Sequence, residues 1–291
     1  SDMMGIGMML QRGLRQGYGL DRNNSHITAV RGTDDAVVIE TQNPFFTGSI
    51  ATPLPGAPPG APLPSIPRFL PDARSMLISL HYSIAPLPDL PMATRVADPR
   101  IGLFSSTVLD FSNDMSASPR KRFVNRWRLE KKDPAAALSP PVKPITYWID
   151  RNVPLAYRES VRAAILEWNK AFEKIGIQGA IVVEQQADDA KFDTLDFGFA
   201  SVRWMMNASP SFAAFGPAHF DPRTGEILDA DIAFEGMVAR GVRTLRSQVL
   251  AGNPHSANGA SEVPLSFAAP LEWPVGASHA TDPRLCMHGA L

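Results

Sequence analysis

The chain has 291 residues, a hydrophobic content of 44% that is enough for a buried core, and a formal net charge of -1. This balance argues against a dedicated nucleic-acid-binding protein, which carries a basic excess, and the single cysteine, Cys286, excludes a disulfide framework or a multi-cysteine metal site. The 27 prolines, about 9% of the residues against an average near 5%, predict long irregular connections and exclude a helix bundle.

The N-terminal region, residues 1–140, is rich in strand patterns. Segments with the alternation or the β-branched and aromatic content of strands are 26–40, 75–84, 101–111 and 122–129. The first of these contains Gly32-Thr-Asp-Asp35 and predicts a hairpin. His81 lies within the second, and we interpret it as a packed strand residue and not as a metal ligand.

Prolines are concentrated between residues 53 and 71, where eight of them occur. Each proline fixes φ and removes a backbone donor, which excludes regular secondary structure over this stretch. We interpret the stretch as a surface loop or linker. A proline-rich ligand for a partner domain is the alternative.

A basic run extends from Arg120 to Lys132 and holds seven basic residues, with Phe123 and Trp127 interleaved. Nucleic-acid-binding patches have this composition, but a solvated strand with alternating burial has it as well. The near-neutral charge of the whole chain favours the solvated strand, so no nucleic-acid partner is expected.

From Pro144 onward the pattern changes to strands separated by one long helix. Short strands are predicted at 145–149, 180–184 and 200–205. Apolar residues recur at helical spacing from Val161 to Ile175, and Gly176 stands where a helix commonly ends. This order indicates a mixed α/β sheet backed by a helix.

Residues 213–235 predict a hairpin at a sheet edge. The segment from Asp221 to Gly225 has the composition of a tight turn, and the strand after it places Asp229 and Asp231 on one face. Two further segments follow, a short amphipathic helix and an irregular tail: 238–249 and 251–291.

No complete catalytic or metal-binding arrangement is visible in the residues alone. The six histidines include no pair at i and i+4, so the His-Glu-x-x-His helix of many zinc enzymes is missing. Weaker groups of ligand-type residues are the acidic loop 184–196, the pair Asp229 and Asp231, and the set His279, Asp282, Cys286 and His288. We interpret the acidic loop and the aspartate pair as solvated, and the last set has no metal-site spacing.

Several motifs occur in order along the chain: Pro91-Met-Ala-Thr-Arg95, Ala97-Asp-Pro-Arg-Ile-Gly-Leu-Phe104, Arg126-Trp-Arg-Leu-Glu-Lys-Lys-Asp133, Pro144-Ile-Thr-Tyr-Trp-Ile-Asp150, Tyr157-Arg158, Glu167-Trp-Asn-Lys-Ala-Phe172 and Asp221-Pro-Arg-Thr-Gly-Glu-Ile-Leu228. Their combination resembles a family of large bacterial zinc-dependent metalloproteases with a metzincin-like catalytic domain. The resemblance covers roughly residues 75–235. It implies an α+β fold, in which the β-rich N-terminal region precedes a mixed, metzincin-like twisted sheet backed by a long helix, the upper half of a protease domain over 141–250.

In that family an edge strand forms the upper rim of the active-site cleft and pairs with an extended peptide substrate. By resemblance, the substrate-binding residues of this chain are Ala214, Phe215, Gly216 and Pro217. The expected partner is therefore a peptide or protein substrate. No membrane-spanning segment is expected in this chain. An extracytoplasmic location, periplasmic or at the cell surface, follows from the resemblance only, since no signal peptide is visible.

The chain departs from the family at the zinc site. The helix His-Glu-x-x-His-x-x-Gly-x-x-His should follow the sheet, and residues up to Leu291 do not contain it. We therefore expect no catalytic residue and no metal ligand here, and interpret the chain as the N-terminal part of a zinc-dependent metallopeptidase, truncated before its active-site helix, with zinc bound in the intact parent. The alternative is a non-catalytic module that binds a peptide or protein partner with the same sheet.

Overall fold

The computed structural model describes residues 5–32, 35–52, 65, 67, 70–207 and 212–245, all within one compact unit. The elements are α1 (Ile6–Leu14), β1 (Gly19–Leu20), β2 (His26–Gly32), β3 (Val37–Phe46), β4 (Ser75–Ile84), β5 (Ser105–Leu109), β6 (Arg120–Val124), β7 (Ile145–Ile149), α2 (Leu155–Leu166), α3 (Asn169–Lys174), β8 (Ile181–Gln185), β9 (Ser201–Met205), β10 (Ala214–Phe215), β11 (Ala218–Phe220), β12 (Ile227–Glu235) and α4 (Gly236–Leu245). This part of the chain is a mixed α/β structure with several sheets and few helices, which agrees with the expected α+β class. The sequence patterns did not reveal α1.

The N-terminal sheet is antiparallel and is built around the long strand β3. Strand β4 pairs with β3 along its whole length, and β2 and β1 follow one another along the other edge. Val38 and Phe45 of β3 are fully buried. The predicted hairpin at 26–40 and the strand at 75–84 are confirmed, while most of the proline-rich stretch and the tail 251–291 lie outside the described residues. Strands β5 and β6 form a separate two-stranded sheet.

The second sheet, here called the mixed sheet, has the order β8-β7-β9-β12-β10, with β11 also paired to β12. The first four strands are parallel, and β10 and β11 are antiparallel to β12. Strand β12 is therefore internal, and only the short strands paired with it lie at the edge predicted for the hairpin. Helices α2 and α3 cover one face, the helix face, where Ile149, Val202 and Ile165 are among the buried residues.

The predicted helix from Val161 to Ile175 is divided into α2 and α3. At the junction Lys170 N–H donates to the carbonyl of Glu167, an i to i+3 bond. Just after this junction the Asn169 side chain exchanges two hydrogen bonds with the backbone of Ile181, which ties α3 to the start of β8. The predicted end at Gly176 is confirmed: Gly176 has a φ of 87°.

The predicted turn from Asp221 to Gly225 is also confirmed. Gly225 has a φ of 78°, and its N–H donates to the Asp221 carbonyl at 2.8 Å. A side chain at Gly225 would stand 2.8 Å from the carbonyl oxygen of Val124, so glycine is required by both conformation and space. Arg223 binds the fully buried Asp221 carboxylate and also donates to the carbonyl of Pro88.

The face of the mixed sheet opposite the helices carries polar side chains, including Ser201, Arg203 and Asp231, and is here called the polar face. The N-terminal sheet lies on this side. Arg31 of β2 donates two hydrogen bonds, at 2.7 and 2.9 Å, to the buried carboxylate of Asp196 in the loop before β9. The mixed sheet is thus covered by helices on one face and by the N-terminal sheet on the other.

Candidate functional site

The outer edge of the mixed sheet is formed by residues 214–217, here called the rim edge. Ala214 lies opposite Phe234 and Phe215 opposite Ala233. Glu235 N–H donates to the Ala213 carbonyl, and Asp231 N–H donates to the Pro217 carbonyl, both at 3.0 Å. Antiparallel pairing alternates between residues that face the partner strand and residues that face away, so the backbone groups of Ala214 and Gly216 point outward.

The outward groups of the rim edge are available for pairing. In the described part of the chain β10 pairs only with β12, and no hydrogen bond outside the strands reaches the backbone of Ala214 or Gly216. A Cβ atom at Gly216 would lie 3.4 Å from the Asp231 carbonyl oxygen, on the side of β12 and not on the outward side. Pro217 adds no outward group, because its carbonyl already accepts the Asp231 N–H and proline has no N–H. The rim edge therefore offers donors and acceptors to one short extended segment.

Aromatic side chains flank the rim edge on both faces. On the polar face Phe215 is 47% exposed, and its ring meets that of Phe212 edge to face at 4.8 Å. On the helix face Phe234 is stacked parallel to Trp204, which in turn stacks on Tyr157. An extended segment at the rim edge would thus meet Phe215 directly on the polar face, whereas on the helix face Ala214 stands between it and Phe234.

Glu235 holds the end of the rim in place, and sequence reasoning missed it. Its side chain is fully buried and accepts hydrogen bonds from Asn207 after β9 and from the N–H of Met237 in the first turn of α4. The Met237 N–H in particular lowers the pKa of Glu235. Only its position at the end of an alternating strand could have marked it, because its partners are distant or backbone groups.

A cavity of about 160 Å³ lies between the N-terminal sheet and the polar face; its lining residues are His81, Ser83, Leu195, Phe197, His219, Asp229 and Asp231. Asp229 is only 3% exposed, and burial, followed by the neighbouring Asp231 carboxylate, raises its pKa to about 7. Burial also raises the pKa of Asp231, which accepts a hydrogen bond from Ser201 at 2.5 Å. The interpretation of this pair as solvated is therefore wrong, because the N-terminal sheet covers it.

His81 is packed, as expected for a strand residue. Its Nε2 lies 3.2 Å from Asp196 and its Nδ1 lies 3.8 Å from Glu40, and both carboxylates also bind Arg31. In the acidic loop, Asp193 is paired in the same way with Arg203. These contacts use the carboxylates internally, which argues for a structural role of the loop and not for a cation site. The interpretation of the loop as solvated is wrong for Asp196, which is buried.

Most of the basic run is also bound internally. Lys121 pairs with Asp110, Arg126 donates to the Ala93 carbonyl, and Arg128 makes a bidentate contact with Glu226. Lys131 donates to two backbone carbonyls in the following loop. Side chains already engaged in this way contribute less to a phosphate-binding surface, and the expectation of no nucleic-acid partner stays a prediction.

Within the described ranges, no three His, Cys, Asp or Glu side chains are placed to hold a metal ion. The set from His279 to His288 lies outside them. The same part of the chain contains no helix that is both long and apolar enough to cross a bilayer.

Comparison with known proteins adds one family. Residues 5–132 match a family described as a domain of unknown function (DUF5117), which covers less than half of the chain. No curated protein and no solved structure matches the chain. The matched segment contains the N-terminal sheet and the β5–β6 sheet, and it ends before the mixed sheet begins.

Proposed function

We propose that this chain is the N-terminal part of a zinc-dependent metallopeptidase with a metzincin-like catalytic domain, and that its rim edge binds an extended peptide substrate. One observation carries the proposal: a parallel sheet, backed by helices, ends in a short antiparallel edge strand whose outward backbone groups lack a partner among the described residues. A peptide that added one strand there would satisfy these groups. The ordered motifs resembling that protease family support the same assignment.

The zinc ion belongs to the intact parent in this proposal. The residues of the described part do not fit it, since they offer no convergent set of three ligands. We therefore assign binding and orientation of the peptide to this chain, and no bond-breaking step. Export to the periplasm or cell surface is part of the same proposal.

The test compares two proteins on one fluorogenic peptide library. The first is the 291-residue chain; the second is the same chain extended by the sequence that follows Leu291 in its gene. With added zinc, the extended protein is expected to cleave peptides, the chelator 1,10-phenanthroline should abolish cleavage, and the 291-residue chain should be inactive. Zinc-dependent cleavage by the 291-residue chain would contradict the division of roles, and an extended protein without cleavage would contradict the peptidase assignment.

A non-catalytic peptide- or partner-binding module is the second candidate. This candidate is favoured because the described residues contain the whole rim edge, which could bind a peptide, whereas they hold no group of three metal ligands. If the extended protein binds peptides at the rim edge without cleaving any of them, this second function replaces the first.

A further inference from the structure

The register of the rim edge determines how a bound strand would meet its side chains. This step rests on the proposed function, because it takes for granted that an extended peptide pairs with the outward groups of Ala214 and Gly216. In an antiparallel pair, the more stable arrangement per residue, the peptide residue opposite Phe215 is then in a non-hydrogen-bonded pair. Side chains of such pairs are the closest across two strands, with Cα atoms about 4.5 Å apart.

Phe215 can contact such a neighbouring side chain, because its ring is both exposed and held in place. Almost half of its side chain is exposed, yet its ring is held by the perpendicular ring of Phe212. The residues that flank it on the opposite face are Ala214 and Gly216, which present little or no side chain. Selection by cross-strand contact is therefore concentrated at one position of the bound strand, the one opposite Phe215.

We propose that the rim edge selects extended peptides with an apolar side chain opposite Phe215, aromatic or large aliphatic in preference to small polar. Such a side chain covers the exposed ring and removes apolar surface from water on both partners. The two neighbouring peptide residues project to the other face, beside Ala214 and Gly216, and are selected weakly. The substrate class is thus an extended peptide with one apolar residue opposite Phe215, whose two neighbouring residues can vary.

The experiment uses the isotope-labelled 291-residue chain and three synthetic peptides. The first is acetyl-Thr-Lys-Thr-Phe-Thr-Lys-Thr-amide, the second has Ser in place of Phe, and the third is the first with both Thr residues next to Phe N-methylated. Binding is followed by amide shifts of Ala214 and Gly216. The Phe peptide should bind about twofold to tenfold more tightly than the Ser peptide, and the N-methylated peptide should lose binding.

Two variants complete the design. Phe215→Thr keeps a strand-forming residue and should make the Phe and Ser peptides bind equally, whereas Phe111→Thr, which changes an exposed phenylalanine near β5, should leave the preference unchanged. The amide spectrum of each variant reports whether it is folded. If the wild type binds both peptides equally, or Phe215→Thr keeps the preference, the apolar selection is wrong while edge binding stands. If none of the peptides shifts Ala214 or Gly216, the proposed function itself fails.

Discussion

Replacing Asp229 by Asn tests whether the cavity beneath the N-terminal sheet holds a carboxyl group that resists ionisation. Folding raises the pKa of Asp229 from an ordinary 3.8 to about 7, chiefly through burial. A raised carboxyl pKa means that the folded state favours the protonated form. The stability that protonated Asp229 gives the folded state is therefore fully present below pH 3.8, and it is lost as the pH rises through 7. Three pKa units at 1.36 kcal/mol each give a cost of about 4 kcal/mol above pH 8.

The variant Asp229→Asn has the shape of the protonated acid and keeps an oxygen that accepts the Ala230 N–H. We expect it to unfold with a free energy close to that of the wild type at pH 4, and to be more stable by up to about 4 kcal/mol at pH 8. The measurement is urea unfolding across this pH range. Asp189→Asn, at an exposed carboxylate, is the matched control and should show little pH-dependent difference.

Two results would contradict a raised pKa of Asp229. If the difference between Asp229→Asn and the wild type does not change between pH 4 and pH 8, Asp229 titrates as an ordinary carboxyl group in the folded chain. If the variant is less stable at pH 8, the ionised form makes favourable contacts that outweigh its burial. Either result would remove the argument that the N-terminal sheet excludes water from this pair.

Two further predictions concern the packing around the mixed sheet. Arg31→Met leaves the buried Asp196 carboxylate without its bidentate partner and should reduce the free energy of unfolding by about 3 kcal/mol in urea at pH 7; an unchanged midpoint would show that the pair is not formed in solution. Gly236→Ala places a methyl group within 2.5 Å of the Trp204 indole, so we expect a loss of about 1–3 kcal/mol and altered tryptophan fluorescence. Gly241→Ala, with open space around it in α4, should be tolerated.

Short-range chemistry made part of this structure predictable. The turn from Asp221 to Gly225 and the helix end at Gly176 depend on a few neighbouring residues, and the strand at 75–84 follows from alternation alone. The placement of Ala214 at the edge came from resemblance to a family, not from the local pattern. The burial of Asp229 could not be predicted, because the sheet that covers it lies about 150 residues earlier in the chain.

Two contacts between arginines and buried carboxylates have a consequence for how the protein can be divided. Asp196 and Glu226 are both buried, and each is neutralised by an arginine from the segment that matches the domain of unknown function, Arg31 and Arg128. Separating that segment from the mixed sheet would remove both arginines and expose the surface that the N-terminal sheet covers. The two regions should therefore unfold in a single transition, and the mixed sheet produced alone should be less stable than the same sheet in the whole chain.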